Sequence, residues 1–131
     1  MSIDESTAVG TVLYIDDSPI NTMLVERILV SRPGVVFESA PDGRSGLDRA
    51  ARLTPDLILL DLKLPDVSGE QVLASLRADP TTRTIPVIVI SAEMDTEVRR
   101  RLLERGAQWC LTKPFAIAEL LGLVDGSLDP R

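Results

Sequence analysis

The stretch LILLD, residues 57–61, carries the strongest strand pattern in the chain. Four consecutive apolar residues predict a strand that is buried on both faces, as in a parallel sheet covered by helices. Asp61 ends this strand with a carboxylate. Four other segments are rich in branched residues and predict further strands over residues 11–15, 35–39, 86–91 and 109–112.

A helical pattern follows each predicted strand. The first helix is expected to begin at Pro19, after an N-cap at Asp17 or Ser18. Its apolar stripe, expected to face the core, consists of Ile20, Met23, Leu24 and Ile28. Four more helices are predicted from residue 43, through residues 72–76, over residues 96–105 and through residues 117–124. Five successive βα units imply a doubly wound α/β domain with a parallel five-stranded sheet.

The length of 131 residues fits one domain, 1–131, with a core over about residues 11–124. The first ten residues and the tail from Gly126 are expected to be flexible ends. The formal net charge of −6 argues against binding to nucleic acid or to an anionic membrane. No secretory leader or membrane-spanning run is evident, so we expect a cytoplasmic protein.

The chain contains no histidine and one cysteine, which nearly excludes a structural zinc site. Any bound metal should be a hard cation held by oxygen ligands. In a parallel sheet the binding crevice lies beyond the carboxyl ends of the strands. The residues at those ends are Asp16, Asp17, Asp61, Ser91 and Lys113. Singly, the acid pair could be a helix cap and Asp61 a solvated strand end; together they favour a site.

Three neighbouring carboxylates need counter-charge, which one lysine and a divalent metal would supply. Mg²⁺ or Mn²⁺ suits these ligands. Asp61 is the expected nucleophile toward a phosphoryl group. In this hypothesis Asp17 ligates the metal directly, Asp16 supports it through water, and the backbone carbonyl of Lys63 completes the shell. Ser91 and Lys113 would hold phosphoryl oxygens.

Four motifs together resemble the receiver domain of two-component response regulators. They are YIDDSP (14–19), LILLDLKLPDVSGEQVL (57–73), IPVIVISA (85–92) and GAQWCLTKPF (106–115). The resemblance covers residues 11–124 and implies a flavodoxin-like fold with strand order 2-1-3-4-5. It also implies phosphoryl transfer from a phosphohistidine on a histidine kinase or histidine phosphotransfer protein. The protein would catalyse its own phosphorylation and dephosphorylation, without multiple-turnover activity on another substrate.

By position, the resemblance makes Asp61 the phosphoacceptor, with Asp16 and Asp17 as the acidic metal pocket. Ser91 is then the switch hydroxyl. Lys113 precedes Pro114 across a peptide bond that is commonly cis in this family. Phosphorylation would change the surface of the fourth helix, fifth strand and fifth helix, which contacts a downstream protein and is also a family dimer surface.

Two features concern the switch and the lifetime of the signal. Cys110 occupies the fifth-strand position where the family usually has tyrosine or phenylalanine, either as a small buried filler or in a redox role. Trp109, one residue earlier, should point to the opposite face. Lys63 and Glu93 should flank the phosphoryl group, either as a salt bridge that hinders the hydrolytic water or as two solvated charges.

Three other functions remain to be weighed. In a flavodoxin-type electron carrier, the first loop should hold the phosphate of FMN with Ser or Thr hydroxyls and backbone N–H groups, whereas the acidic first loop here would repel that phosphate without a metal. A phosphatase of the haloacid dehalogenase type needs a second aspartate where Lys63 stands. A phosphorylation-independent receiver-like scaffold is the main alternative. The sequence is expected to be either a free-standing receiver or one from a hybrid histidine kinase.

Overall fold

The computed structural model describes residues 8–130 and contains a sheet flanked by five helices. The strands are β1 (Ala8–Ile15), β2 (Val35–Ala40), β3 (Leu57–Asp61), β4 (Val87–Ser91), β5 (Trp109–Thr112) and β6 (Asp129–Pro130). The helices are α1 (Pro19–Leu29), α2 (Gly43–Leu53), α3 (Gly69–Ala78), α4 (Thr96–Glu104) and α5 (Ile117–Ser127). Among residues 8–130, no helix is both long enough and apolar enough to cross a membrane.

The five principal strands are parallel and follow the order β2-β1-β3-β4-β5, which confirms the predicted flavodoxin-like topology. β3 is central, and its apolar residues alternate between two cores. Ile58 and Leu60 belong to the core that includes residues of α2, α3 and α4. Leu57 and Leu59 belong to the core that includes residues of α1 and α5. All four side chains are fully buried, as the LILLD pattern predicted.

Local hydrogen bonds fix where the helices begin, close to the carboxyl ends of the strands. Ser18 is the N-cap of α1, with Pro19 in the first turn, which is one of the two caps expected from the sequence. Ser68 caps α3 in a capping box with Gln71. Asp95 caps α4 by accepting a hydrogen bond from the amide of Val98. These caps set the points where the loops that surround the site end.

The expected boundaries of the core were too narrow at both ends. β1 begins at Ala8 rather than at Thr11, and residues 126–127 belong to α5. Residues 129 and 130 form β6, which pairs antiparallel with residues 9 and 8 of β1. Two residues with backbone pairing but no apolar alternation leave little trace in a sequence pattern. Residues 1–7 and 131 of the expected flexible ends lie outside the described residues.

The predicted inward stripe of α1 was wrong in part. Val25, Ile28 and Leu29 form its buried face, whereas Ile20 is 77% exposed and Leu24 is 51% exposed. Met23 is exposed as well, and so is Ile117 at the start of α5. The sequence misled because α1 is apolar on two faces, so periodicity alone could not select the face that packs on the sheet.

Candidate functional site

The predicted site residues meet at the carboxyl edge of the sheet. Asp16 follows β1, Asp61 is the last residue of β3, Ser91 is the last residue of β4, and Lys113 follows β5. The parallel register brings these strand ends side by side: Asp61 pairs with Ile90, next to Ser91. The amide of Lys113 also donates to the carbonyl oxygen of Ser91 at 2.9 Å. The topology therefore assembles residues that are up to 97 positions apart in sequence.

Three carboxylates form the centre of the site. Asp16, Asp17 and Asp61 each offer an oxygen atom, and these atoms all lie within 4.8 Å of one another. Asp16 and Asp61 are buried, whereas Asp17 is exposed. Such a cluster concentrates negative charge where water is partly excluded. A divalent cation that prefers oxygen ligands would neutralise this charge. The residues present therefore fit a magnesium or manganese ion.

Lys113 supplies the only ammonium group recorded in ion pairs with this acidic cluster among the described residues. Its Nζ lies 3.4 Å from Asp16 Oδ2 and 3.6 Å from Asp61 Oδ2. The peptide bond between Lys113 and Pro114 is cis, as expected from the resemblance. The lysine side chain is mostly buried, with 22% of its surface exposed. One partly buried cation is thus shared between two buried carboxylates.

The protonation balance of Asp61 reflects this environment. Burial raises the pKa of the Asp61 carboxyl above its usual value, although Lys113 acts in the opposite direction. The negative charge of Asp16 raises the pKa of Asp61 further, and a long hydrogen bond from the amide of Lys63 lowers it. Asp61 is therefore a carboxylate whose negative charge is only partly compensated by the protein.

Two residues at the site escaped the sequence analysis. The Tyr14 hydroxyl donates a hydrogen bond to Asp16 Oδ2. The side-chain amide of Asn21 donates to the same oxygen at 3.3 Å. Burial raises the pKa of the Tyr14 hydroxyl, and the hydrogen bond to Asp16 raises it further. Tyr14 lies in β1, two residues before Asp16. The alternation of side chains along an extended backbone was the signal that could have revealed it.

Ser91 Oγ points toward the loop that follows β4. It accepts a hydrogen bond from the amide of Glu93 at 3.2 Å and lies 3.3 Å from the carbonyl oxygen of Glu93, to which it can donate. The carboxylate of Glu93 forms the predicted ion pair with Lys63, with 3.2 Å between Nζ and Oε1. Both side chains of this pair are about three-quarters exposed. The pair links the β3–α3 loop to the β4–α4 loop across the mouth of the site.

The fifth strand alternates as expected. Cys110 is buried and packs in the core on the α3–α4 side, and Leu111 packs in the other core. Trp109 is 44% exposed, and the guanidinium of Arg99 lies 5.4 Å from its ring centroid. Burial raises the pKa of the Cys110 thiol, with a smaller opposing effect of Arg99. A buried protonated thiol behaves as a small apolar side chain, which supports the interpretation of Cys110 as a filler.

This fold and this acidic rim are those of a receiver. Residues 12–125 match the family model of the response regulator receiver domain, and the chain belongs to that family.

Among curated relatives, the response regulator PleD of Caulobacter vibrioides is 43% identical over 104 residues, which cover 79% of this chain and 23% of PleD. The transcriptional regulator RpaA of a Synechocystis strain is 40% identical over 113 residues, covering 86% of this chain and 46% of RpaA. The chain thus spans less than half the length of these relatives.

Solved structures agree with the fold. The chemotaxis protein CheY4 of Vibrio cholerae superimposes with a TM-score of 0.84 at 28% identity, covering 92% of this chain and all of that one. The receiver domain of a Pseudomonas aeruginosa sensor histidine kinase gives a TM-score of 0.81 at 30% identity, covering 92% of this chain and 98% of that one. That second structure has a magnesium ion coordinated in its active-site cleft.

Proposed function

We propose that this receiver accepts a phosphoryl group on Asp61 from a phosphohistidine of a partner protein, in a reaction that depends on Mg²⁺ or Mn²⁺. The observation that carries this proposal is the cluster itself. Oxygens of Asp16, Asp17 and Asp61 lie within 4.8 Å of one another, and the Lys113 ammonium is 3.6 Å from Asp61. Asp61 is the member of the cluster that is both buried and central in the sheet.

Asp16, Asp17 and Asp61 would hold the metal, with the backbone carbonyl of Lys63 as a further ligand. The bound cation would neutralise charge on the carboxylates and on the incoming phosphoryl oxygens. In a similar receiver of known structure, magnesium sits in the active-site cleft. Because the protein compensates three carboxylates with one lysine, the cation supplies charge that the chain lacks.

The covalent step is a substitution at phosphorus. A carboxylate oxygen of Asp61 forms the new bond, and the bond between phosphorus and the imidazole nitrogen of the donor breaks. The electron pair of that bond stays with the imidazole, and the product is an acyl phosphate. Lys113 is placed to pair with a phosphoryl oxygen because its Nζ already lies beside Asp61.

Phosphorylation would be read through Ser91. Its hydroxyl is bonded to the backbone of Glu93, so contact with a phosphoryl oxygen would replace these bonds and move the β4–α4 loop. We propose that the change is transmitted to the face formed by α4, β5 and α5, which would contact a downstream protein or a second copy in a weak homodimer. Cys110 lies in β5 where the family usually has an aromatic residue.

The phosphodonor would dock on α1 and the loop after β5. Ile20 and Leu24 are exposed apolar side chains on α1. Leu24 lines a groove together with Pro114, Phe115 and Ile117, and Lys113 lies in the same groove. A histidine kinase or histidine phosphotransfer protein fits this surface, because docking there brings its phosphohistidine to the edge of the site. We propose no binding to nucleic acid or membrane, and we propose that the reaction takes place in the cytoplasm.

The alternative is a scaffold that keeps the receiver fold and works without phosphorylation. Cys110 favours it, because it stands at the position of β5 where the family usually has the aromatic side chain of the switch. The intact acidic cluster with Lys113 favours phosphoryl transfer instead.

The experiment is incubation with acetyl phosphate and Mg²⁺, followed by measurement of the intact mass. We expect one phosphoryl adduct on the wild type and none without Mg²⁺. Asp61→Asn should also form none, because its amide cannot act as the nucleophile. Asp48→Asn, on the exposed surface of α2, is the matched control and should form the adduct normally. A wild type that forms no adduct from acetyl phosphate or from a phosphorylated histidine phosphotransfer protein would favour the scaffold.

A further inference from the structure

Tyr14 has no part in the phosphoryl transfer described above, although it contacts the site. It is the only tyrosine in the chain, and it is 1% exposed. We infer that Tyr14 is a positioning residue of the metal site, whose hydroxyl holds the Asp16 carboxylate in the orientation that the metal requires. This inference rests on the proposed function, because it concerns the same acidic cluster.

The hydroxyl is placed by a buried residue in a strand that is paired on both sides. Tyr14 lies in β1 and Asp16 is the first residue after that strand, two positions later, so the extended backbone directs both side chains to the same side. The Tyr14 ring is buried in the core on the α1–α5 side, and its centroid lies 6.5 Å from that of Phe37 on the neighbouring strand β2. β1 is bonded on both sides, to β2 and to β3. A donor anchored in this way holds its acceptor more firmly than a donor on a loop.

Both oxygens of Asp16 are oriented by hydrogen bonds. Oδ1 accepts from the amide of Ser18 at 2.9 Å. Oδ2 accepts hydrogen bonds from the Tyr14 hydroxyl, from Asn21 at 3.3 Å and from Lys113 at 3.4 Å. Of these three donors to Oδ2, Tyr14 is the one that belongs to a strand.

The arrangement matters because Lys113 has two duties. It is shared between Asp16 and Asp61, and the proposed reaction requires it at the phosphoryl group on Asp61. When Lys113 turns to that group, the Tyr14 hydroxyl still satisfies Oδ2 of the buried Asp16. Without the hydroxyl, Oδ2 of Asp16 would keep only the long contacts from Lys113 and Asn21, and the carboxylate could pivot about the bond from the Ser18 amide to Oδ1 and turn away from the metal.

Hydrogen-bonding partners of metal-binding side chains typically change metal affinity by about 10–100-fold when they are removed. We therefore expect Tyr14→Phe, which keeps the ring, to raise the Mg²⁺ dissociation constant of the unphosphorylated protein by about 10-fold. Isothermal titration calorimetry with MgCl₂ measures this constant without any phosphoryl donor. The matched control is Phe37→Leu, which loosens the packing around the same ring but touches no carboxylate.

Phe37→Leu should lower the melting temperature and leave the Mg²⁺ dissociation constant within about two-fold of the wild type, because the Tyr14 hydroxyl remains. A second measurement uses the wild type alone. Because the chain has one tyrosine, its ¹³C-labelled ring gives one set of NMR signals, which should shift during a Mg²⁺ titration with the midpoint found by calorimetry.

Three outcomes would overturn the inference while the proposed function stands: Tyr14→Phe binds Mg²⁺ as tightly as the wild type, Phe37→Leu weakens binding as much as Tyr14→Phe, or the tyrosine signals do not respond to saturating Mg²⁺. A wild-type protein that binds no Mg²⁺ would overturn both the inference and the metal dependence of the proposed function.

Discussion

Lys113 shows how little charge compensation the protein itself gives its acidic cluster. One ammonium group lies 3.4 Å from one buried carboxylate and 3.6 Å from another, and both distances are longer than an optimal charged hydrogen bond. Burial would ordinarily favour the protonated form of Asp61, and the pKa of Asp61 is indeed raised. Lys113 compensates the charge of the ionised Asp61 only in part. Asp61, the residue that we propose as nucleophile, can therefore bind a cation and then attack an electrophilic phosphorus.

The ion pair between Lys63 and Glu93 should set the lifetime of the acyl phosphate. Its 3.2 Å contact joins the two loops at the mouth of the site, and we propose that it hinders the entry of the hydrolytic water. We predict that Lys63→Ala loses the phosphoryl group several-fold faster, because the water gains access. An exposed pair contributes at most about 1 kcal/mol to stability, so the free energy of unfolding should hardly change.

The decay of intact phosphorylated mass after removal of acetyl phosphate measures this lifetime. Arg52→Ala is the control, because it breaks the exposed ion pair with Asp48 on α2. It should leave the lifetime unchanged. A Lys63→Ala protein that decays at the wild-type rate would show that the two charges are merely solvated.

At the level of elements, the start of α3 packs closely against the beginning of the loop between β3 and α3. Gly69 begins α3, and its amide donates to the carbonyl oxygen of Leu62 at 2.8 Å. A Cβ atom at position 69 would lie 2.5 Å from the carbonyl oxygen of Asp61 and 2.6 Å from Cα of Leu62. Both contacts are with backbone, which cannot rotate away. The start of α3 therefore fixes the loop that carries Lys63.

We predict that Gly69→Ala displaces this loop, costs about 1–3 kcal/mol of stability as an overpacked site, and lowers the yield of phosphorylation. Gly122→Ala is the matched control: position 122 lies inside α5, and a Cβ atom there meets nothing within 4 Å. Alanine at that position should stabilise the protein by about 0.5–1 kcal/mol. Urea denaturation measures both changes, and equal effects of the two substitutions would contradict the argument.

The fold of the whole molecule could be predicted from the sequence wherever apolar residues marked a single face of an element or filled the element completely. LILLD predicted the central strand because no polar residue interrupts it, and the rule that parallel strand ends converge predicted that Asp16, Asp17 and Asp61 meet. The buried face of α1 was not predictable, because Ile20 and Leu24 are as apolar as Val25 and Ile28.

Contacts made by single polar atoms also could not be predicted from the sequence. Tyr14 resembles an ordinary strand residue until the structure shows its hydroxyl against Asp16. The pairing of residues 129–130 with β1 involves backbone groups, which leave no pattern of side-chain types in the sequence.

The stability of the whole domain should depend on pH through Asp61, because ionising its buried carboxyl lowers the free energy of unfolding. Its pKa is higher in the folded protein than in the unfolded chain, because of burial and the charge of Asp16, which outweigh Lys113. The folded state thus gains stability from Asp61 below the unfolded pKa and loses it as the pH rises through the folded pKa. Asp61→Asn should therefore raise the melting temperature at pH 7 in EDTA, and the gain should shrink as the pH falls toward 4.

Thermal unfolding between pH 4 and pH 7 tests this sign. Asp48→Asn, whose carboxylate is exposed on α2, should change the melting temperature little at any pH in that range. A lower melting temperature for Asp61→Asn at pH 7 would show that its ion pair with Lys113 outweighs burial.

The most direct test of the central claim locates the phosphoryl group on the chain. The protein is treated with acetyl phosphate and Mg²⁺, then with sodium borohydride, which reduces an aspartyl phosphate to homoserine, and its peptides are sequenced by mass spectrometry. We predict that Asp61 is the one residue converted, and only when both acetyl phosphate and Mg²⁺ were present. Conversion of another aspartate, or conversion of Asp61 without Mg²⁺, would contradict the assignment of Asp61 as the metal-dependent phosphoacceptor.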